Sequence, residues 1–193
     1  MVKYIKESYT GTYNLLGDFI SNNENLEKTK IIGEKLAEIF NSGGKVIVFG
    51  NGGSATDAMH FAEEFTGRFR DNRKALPAIA LSDASHLTCV GNDYGFDEVF
   101  ARGVQAYAKA GDMVIGLSTS GNSANIIRGL EEAKKIACST VALLGKDGGK
   151  LAGKCDYDFI IPGKTSDRIQ ELHMIILHIV IEVVERKMFP ENY

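Results

Sequence analysis

A cluster of hydroxyl side chains in the segment LSTSGNS, residues 117–123, is suited to holding an anion. Its four hydroxyls belong to Ser118, Thr119, Ser120 and Ser123. Gly121 lets the backbone come close to a ligand, and the N–H groups of the helix predicted to follow point the same way. The GKS/T ending of a nucleotide-binding P-loop is absent, so the segment favours a small phosphorylated metabolite over ATP. Taken alone, it is equally compatible with a turn that only caps a helix.

A second loop of the same kind follows an earlier apolar run. Residues 45–50, KVIVFG, lead into Asn51-Gly-Gly-Ser54, and a helical pattern comes next. The apolar positions of that helix are Ala58, Phe61, Ala62 and Phe65. Ligands collect at the carboxyl ends of parallel strands, so we expect the two loops to face one pocket.

Two pairs of polar residues suggest a metal site. His60 and Glu64 are four residues apart and share one helix face. Gln170 and His178 lie on the last predicted helix, where about 12 Å of helical rise separates them. They can therefore bind the same ion only if His60 and Glu64 lie between them. Imidazoles with a carboxylate and an amide oxygen suit zinc. A helix-stabilising His–Glu pair and core histidines, including His173 as well as His178, are the alternatives.

The elements that must position these residues alternate regularly along the chain. Apolar periodicity predicts N-terminal helices at 3–21 and 25–41, strands at 45–50, 77–81, 112–117, 139–144 and 157–161, and helices near 54–68, 83–90, 97–108, 122–136 and 165–188. Short apolar runs separated by helices indicate a parallel sheet covered on both faces. The predicted α/β fold is a three-layer αβα sandwich with a doubly wound, mainly parallel five-stranded sheet, preceded by two helices.

The composition excludes several classes of function. The chain has 193 residues, of which 44% are hydrophobic and 24% charged, and we expect one domain over 1–193. A net charge of −3 without a basic run argues against a nucleic-acid surface. The N-terminus does not resemble a signal peptide, and no stretch approaches the roughly 20 apolar residues that span a bilayer. Cys89, Cys138 and Cys155 form neither a metal-type pair nor an even set, which fits a reducing cytoplasm.

The last predicted helix is apolar on nearly all sides between Ile169 and Val184. Such a helix must be covered all round, so it predicts packing between subunits of a homo-oligomer, together with the helical pair at 1–42. The remaining segment, 43–193, would then hold the α/β core and this terminal helix. The alternative is that the terminal helix is central within its own subunit.

Five motifs identify a family. They read FGNGGSATDAMHFAEEFTGRF, SDASHLTCVGNDYGFDEVFARGVQ, GDMVIGLSTSGNSANII, LLGKDGGKLAG and DRIQELHMIILHIVIEVVE. The chain resembles the bacterial phosphoheptose isomerases, which have the sugar isomerase (SIS) fold. The resemblance implies a tetrameric ketose–aldose isomerase that converts sedoheptulose 7-phosphate to D-glycero-D-manno-heptose 7-phosphate through an enediol. This is the first step toward activated heptoses of bacterial surface glycans, whether lipopolysaccharide or capsule.

The resemblance also implies roles for particular residues. The sugar phosphate would be held by Ser118, Thr119, Ser120 and Ser123. The rest of the substrate would contact Asn51, Gly52, Gly53, Glu64, Asn92, Asp93 and Gln170. One zinc ion per subunit would be bound by His60, Glu64, Gln170 and His178. Glu64 and His178 also match the proposed acid–base pair, and Asp57 is a further polar residue near His60.

The chain departs from the family pattern in two places, of which the first weakens any role for position 55. Ala55 stands where some relatives have a histidine, and the segment IIPGKTSDRIQE is individual. Its Lys164, Thr165, Asp167 and Arg168 could select the sugar, although Asp167 and Arg168 are also explained as a first-turn acid and a solvated charge. The competing function is a non-catalytic SIS protein that binds a sugar phosphate or a protein partner. A sensor needs the STSGNS loop but no base, whereas here the carboxylate, amide and histidine positions are all filled.

Overall fold

Five short strands form one sheet in which every neighbouring pair is parallel. The computed structural model describes residues 1–193. The strands are β1 (Val46–Gly50), β2 (Ala78–Ala80), β3 (Met113–Ser118), β4 (Ser139–Gly145) and β5 (Tyr157–Ile161), in the order β2-β1-β3-β4-β5. The chain reverses its direction of winding between β1 and β3. The loops that follow these two strands therefore lie at the switch point, where open parallel sheets bind ligands.

Seven helices flank the sheet or precede it. They are α1 (Val2–Ser21), α2 (Asn23–Asn41), α3 (Gly53–Thr66), α4 (Ala84–Asp93), α5 (Val99–Tyr107), α6 (Ala124–Lys135) and α7 (Ser166–Met188). The prediction of two N-terminal helices followed by a doubly wound sandwich is confirmed. The sheet is wholly parallel.

Two separate apolar cores pack against the two faces of the sheet. Alternate residues of β1 divide between them: Val46 and Val48 join the core beneath α2, α3 and α7, whereas Ile47 and Phe49 join the core beneath α5 and α6. The ring of Phe49 stacks on Phe100 with centroids 4.7 Å apart. A strand buried on both faces must be apolar at every position, which explains why these strands appear as continuous apolar runs.

Helix α4 extends beyond its predicted end. Its first turn is capped by Asp83, whose side chain accepts from the N–H of His86, and the helix continues to Asp93. The segment VGND is therefore the last part of a helix and not a turn, which corrects the sequence interpretation. Residues 96–98 form a short 3-10 turn, so α5 begins at Val99 and not at 97. Element ends are set by such local caps, which apolar periodicity does not register.

Most of the apolar surface of α7 is covered within the chain, because α7 packs between α2 and α3. Ile176, Leu177, Val180 and Ile181 are all buried, which is the central placement considered as the alternative. Ile179 stays exposed on the side that faces away from the sheet. None of the helices combines the length and the hydropathy that crossing a bilayer requires.

Candidate active site

The loop between β3 and α6 is a tight turn built on Ser118 and Gly121. The N–H of Gly121 donates to the carbonyl oxygen of Ser118 at 3.2 Å and to its Oγ at 3.1 Å. Gly121 has φ +63°, and a Cβ at this position would overlap the carbonyl of Gly148. Oγ of Ser118 also lies 3.4 Å from Oγ of Ser123. The turn therefore depends on glycine, and it brings the first and last hydroxyls of the cluster together.

This loop offers donors that the chain itself leaves unused. The backbone N–H groups of Thr119, Ser120 and Ser123 donate to no acceptor in the chain. Ser123 is the N-cap residue of α6, yet its side chain makes no capping hydrogen bond. Free N–H groups at the beginning of a helix attract anions. These groups, together with the partly exposed hydroxyls of the same residues, are able to bind a phosphate.

A reciprocal pair of amides joins the first loop to the beginning of α6. Nδ2 of Asn51 donates to Oδ1 of Asn125, and Nδ2 of Asn125 donates to Oδ1 of Asn51, each at 2.9 Å. Asn125 is 3% exposed, and its Oδ1 also accepts from the N–H of Ile126. The loop after β1 therefore contacts the first turn of α6, which begins directly after the loop that follows β3.

The first turns of α7 lie against both loops. Gln170 is packed so closely on the first loop that a Cβ at Gly53 would overlap its side-chain amide. Thr119 in the second loop donates from Oγ1 to Oγ of Ser166 at 3.2 Å. Gly53 therefore has a steric role that its position in a glycine-rich loop does not reveal.

His60, Glu64 and His178 converge from α3 and α7. One ligand atom from each lies within 4.8 Å of the other two. Nε2 of His60 is 3.2 Å from Oε1 of Glu64, and the two imidazole rings meet edge to face with centroids 5.0 Å apart. The ring of Phe69 stacks on that of His178, with centroids 5.7 Å apart. Two imidazoles and a carboxylate that converge in this way fit a zinc ion.

Burial is the first cause of the pKa shifts in this region. It lowers the pKa of His178, and the neighbouring His60 lowers it further, while Glu64 opposes the shift. Burial also raises the pKa of Asp57. The pKa of the His178 ring therefore favours the neutral form, which is the form that binds a metal or accepts a proton.

The amide of Gln170 contacts Asp57. Its Nε2 donates to Oδ2 of Asp57 at 3.1 Å. Asp57 lies on α3, one helical turn before His60. The hydrogen bond fixes the orientation of the amide and directs its N–H toward the carboxylate. Of the four predicted metal ligands, the structure thus brings together His60, Glu64 and His178, and it orients Gln170 through Asp57.

Two of the predicted substrate residues form no side-chain hydrogen bond with the rest of the site. Asn92 and Asp93 are exposed at the end of α4. Nδ2 of Asn92 donates to Oδ1 of Asp93 at 2.7 Å, and the thiol of Cys89 lies 3.6 Å from Oδ2 of Asp93. Their role in binding substrate stays a prediction.

Arg168 is an intramolecular link and not a solvated charge. Its Nη1 donates to Oγ1 of Thr12 at 2.8 Å and to Oε2 of Glu171 at 2.9 Å, which attaches the start of α7 to α1. Asp167 is exposed in the first turn of α7, and its pKa is lowered, first by the hydroxyl of Thr165. These observations agree with the interpretation of Asp167 as an acid in the first turn of a helix.

His173 belongs to the core. Its Nε2 is 3.0 Å from the carbonyl oxygen of Leu144, and its Nδ1 is buried without a partner. Burial lowers the pKa of His173 from 6.5 to about 4. Between these two values the unfolded chain binds a proton that the folded chain does not, so stability is lost as the pH falls through this window.

We therefore expect the free energy of unfolding to fall by about 3 kcal/mol more in wild type than in His173→Gln between pH 7 and pH 4. Glutamine can still donate to Leu144 but does not titrate. Urea unfolding at several pH values measures the difference. Parallel pH profiles in the two proteins would show that His173 does not contribute.

Comparison with known proteins identifies the family. The SIS domain family matches residues 13–145. The phosphoheptose isomerase of Fusobacterium nucleatum is 63% identical over 186 residues, which cover 96% of each chain. The chain belongs to the phosphoheptose isomerase family. The corresponding enzyme of Vibrio cholerae is 49% identical over 95% of this chain and 97% of its own.

Solved structures of this family have the same fold. The phosphoheptose isomerase from Neisseria gonorrhoeae superposes with a TM-score of 0.88 at 36% identity, over 95% of this chain and 97% of the other. The one from Francisella tularensis gives a TM-score of 0.89 at 31% identity, over 96% and 98%. The likeness therefore includes the N-terminal helices, in which the sequence shows no recognisable motif.

Sequence reasoning missed two residues that organise this family member's site. Asn125 links the first loop to α6. The sequence signal for this role was a polar residue beside the apolar, buried positions of α6. Arg73 reaches the end of α3, but in the segment RDNRK it resembles a solvated charge. No local pattern distinguishes Arg73 from its charged neighbours.

Proposed function

We propose that this protein is a ketose–aldose isomerase that converts sedoheptulose 7-phosphate to D-glycero-D-manno-heptose 7-phosphate. The observation that carries the proposal is the convergence of Glu64 on α3 and His178 on α7. Helix α3 begins at the first ligand-binding loop, and the first turns of α7 contact both loops. A carboxylate and a neutral imidazole form an acid–base pair, and the hydroxyl loop supplies the phosphate site. The relatives are named phosphoheptose isomerases, which supports a phosphorylated heptose as the substrate.

Isomerisation moves a proton between neighbouring carbons and another between their oxygens. In this mechanism the loop of Ser118, Thr119, Ser120 and Ser123 binds the phosphate and fixes the sugar chain. Glu64 removes the C1 proton and returns it at C2. His178 carries the proton between O1 and O2 of the enediol, which its lowered pKa permits because the neutral ring both accepts and donates.

A zinc ion fits the residues that are present. His60, Glu64 and His178 would hold it, with the amide oxygen of Gln170 as a further ligand. Bound zinc would polarise the substrate carbonyl and hold its oxygens. A carboxylate that binds zinc firmly is a weaker base. With zinc bound, Glu64 would act as the base only when it is not a firm ligand; otherwise the metal would mainly preserve the geometry of the site.

Removal of the metal is expected to reduce both activity and stability. Dialysis against a chelator should lower kcat by tenfold or more and lower the melting temperature, since a ligand that binds only the folded state stabilises it. Addition of Zn²⁺ should restore both quantities, while Mg²⁺, which prefers oxygen ligands, should not. Full activity of demonstrably zinc-free protein would exclude a catalytic metal.

Association of subunits is part of the proposal. An apolar groove between α1, α2 and α7 is lined by Leu16, Ile20, Leu26, Ile175 and Ile179. A second copy of the chain would cover this groove and the exposed tyrosines of α1, which supports a homo-oligomer, with the tetramer implied by the family. The three cysteines are all free, in keeping with a cytoplasmic enzyme. We retain one domain, 1–193, with 1–42 in the oligomer interface.

Conversion of sedoheptulose 7-phosphate in deuterated water tests the function directly. We expect NMR to show an aldoheptose 7-phosphate with deuterium at C2, because a proton held by a partly exposed carboxylate exchanges with solvent. An aldose without deuterium would favour a shielded proton or a hydride transfer. Binding of the sugar phosphate without conversion would contradict the proposal and point to a non-catalytic sensor.

A further inference from the structure

The segment that follows α3 is fastened along one face of α7. Three of its side chains meet residues of α7 spaced i, i+4 and i+7. Phe69 stacks on His178, Nη2 of Arg70 donates to Oε2 of Glu182 at 2.7 Å, and Nε of Arg73 donates to Oε1 of Glu185 at 2.7 Å. Residues at this spacing lie on the same side of a helix, so the segment runs parallel to α7.

The last of these contacts is a buried ion pair. The side chains of Arg73 and Glu185 are 1% and 0% exposed, whereas those of Arg70 and Glu182 are 49% and 25% exposed. The second oxygen of Glu185 accepts from the hydroxyl of Tyr193 at 3.0 Å. A buried pair with further hydrogen bonds fixes geometry in a way that a flexible surface pair does not.

The remaining N–H groups of Arg73 hold the end of α3. Nη2 donates to the carbonyl oxygen of Glu64 at 2.6 Å, and Nη1 donates to the carbonyl oxygens of Phe65 at 2.8 Å and Gly67 at 3.2 Å. Carbonyls in the last turn of a helix lack partners within the helix, so the guanidinium caps α3. One of the capped residues is Glu64 itself.

We propose that Arg73 and Glu185 are positioning residues, which set the backbone of Glu64 on α3 against His178 on α7. This inference rests on the proposed function of Glu64 and His178 as the acid–base pair. Arg73 is the only residue that bonds both to the backbone of Glu64 and to α7. Loss of this link should misplace the carboxylate while leaving the phosphate loop, which lies at the other end of α7, unchanged.

Arg73→Lys and Arg73→Met/Glu185→Leu test the proposal together. The lysine keeps a charge opposite Glu185 but loses the planar fork that reaches two carbonyls. The double variant replaces the ion pair by apolar side chains, which commonly preserves stability. We expect kcat to fall tenfold or more in both variants, with KM and the dissociation constant of inorganic phosphate within twofold of wild type.

Lys45→Met is the matched control. It removes another pair with a buried carboxylate, between Lys45 and Asp112, at the amino ends of β1 and β3 and therefore at the end of these strands opposite the two loops. Asp112 keeps two backbone donors in this variant. We expect its kcat to equal that of wild type even if its melting temperature falls. A loss of kcat in step with the loss of stability across all three variants would overturn the proposal.

Two measurements separate this inference from the proposed function. Hydrogen exchange at the amides of Gly67 and Leu76, which bond to carbonyls of the last turn of α3, should accelerate in both Arg73 variants. The affinity for Zn²⁺ should fall in parallel. These changes would support the positioning role even if wild type failed to isomerise the sugar. The proposal would be wrong if the variants left hydrogen exchange, Zn²⁺ affinity and kcat unchanged. Arg73 would then have only a structural role.

Discussion

Glu64→Gln is expected to lower kcat by about 10²–10⁴-fold, the range that general base catalysis contributes. Glutamine has the shape of glutamate but cannot accept the C1 proton. The only side-chain hydrogen bond of Glu64 joins it to His60, and an amide oxygen can replace the acceptor. The fold and the affinity for phosphate should therefore be retained. Steady-state kinetics with sedoheptulose 7-phosphate and calorimetric titration with inorganic phosphate measure the two quantities.

Glu63→Gln is the appropriate control for this change. Glu63 precedes Glu64 on the same helix, its side chain is 66% exposed, and it lies 4.0 Å from the same nitrogen of His60. The control makes the same change in charge and should leave kcat within twofold of wild type. If Glu64→Gln kept more than a tenth of the wild-type kcat, Glu64 would not be the base.

Gly121→Ala is expected to disrupt the phosphate loop. An alanine at φ +63° is strained, and its Cβ overlaps the carbonyl of Gly148. Strain and overlap together should lower the free energy of unfolding by about 2–4 kcal/mol. Because the backbone must move to relieve the overlap, phosphate affinity should fall by at least tenfold. Urea unfolding and phosphate titration measure these effects.

Gly153→Ala is the control that separates the effect of steric overlap from the effect of backbone strain. Gly153 has φ +68°, but no atom lies within 4 Å of the position that its Cβ would take. This variant should lose stability by only about 1–2 kcal/mol and bind phosphate normally. Equal effects of the two substitutions on phosphate affinity would show that the loop tolerates a displaced Gly121.

The regular elements follow from local patterns. Each buried strand is a run of apolar residues such as VIVFG, and each helix repeats apolar residues near every 3.6 positions. Errors occurred where a cap determines the boundary, as at the end of α4, since caps depend on single hydrogen bonds. The parallel orientation of the strands was predictable too, because strands connected by helical crossovers run in the same direction.

The sequence by itself thus determined the layers, the two loops and the residue types of the site, since these depend on neighbours in the chain. Only the tertiary structure decided which of the distant residues proposed for the site meet. His60 and His178 are brought together by the packing of α3 on α7, and Gln170 lies against Gly53 and Asp57. Such contacts depend on crossing positions and on burial. Spacing along the chain predicts which face of a helix is apolar, but it does not fix where two helices cross.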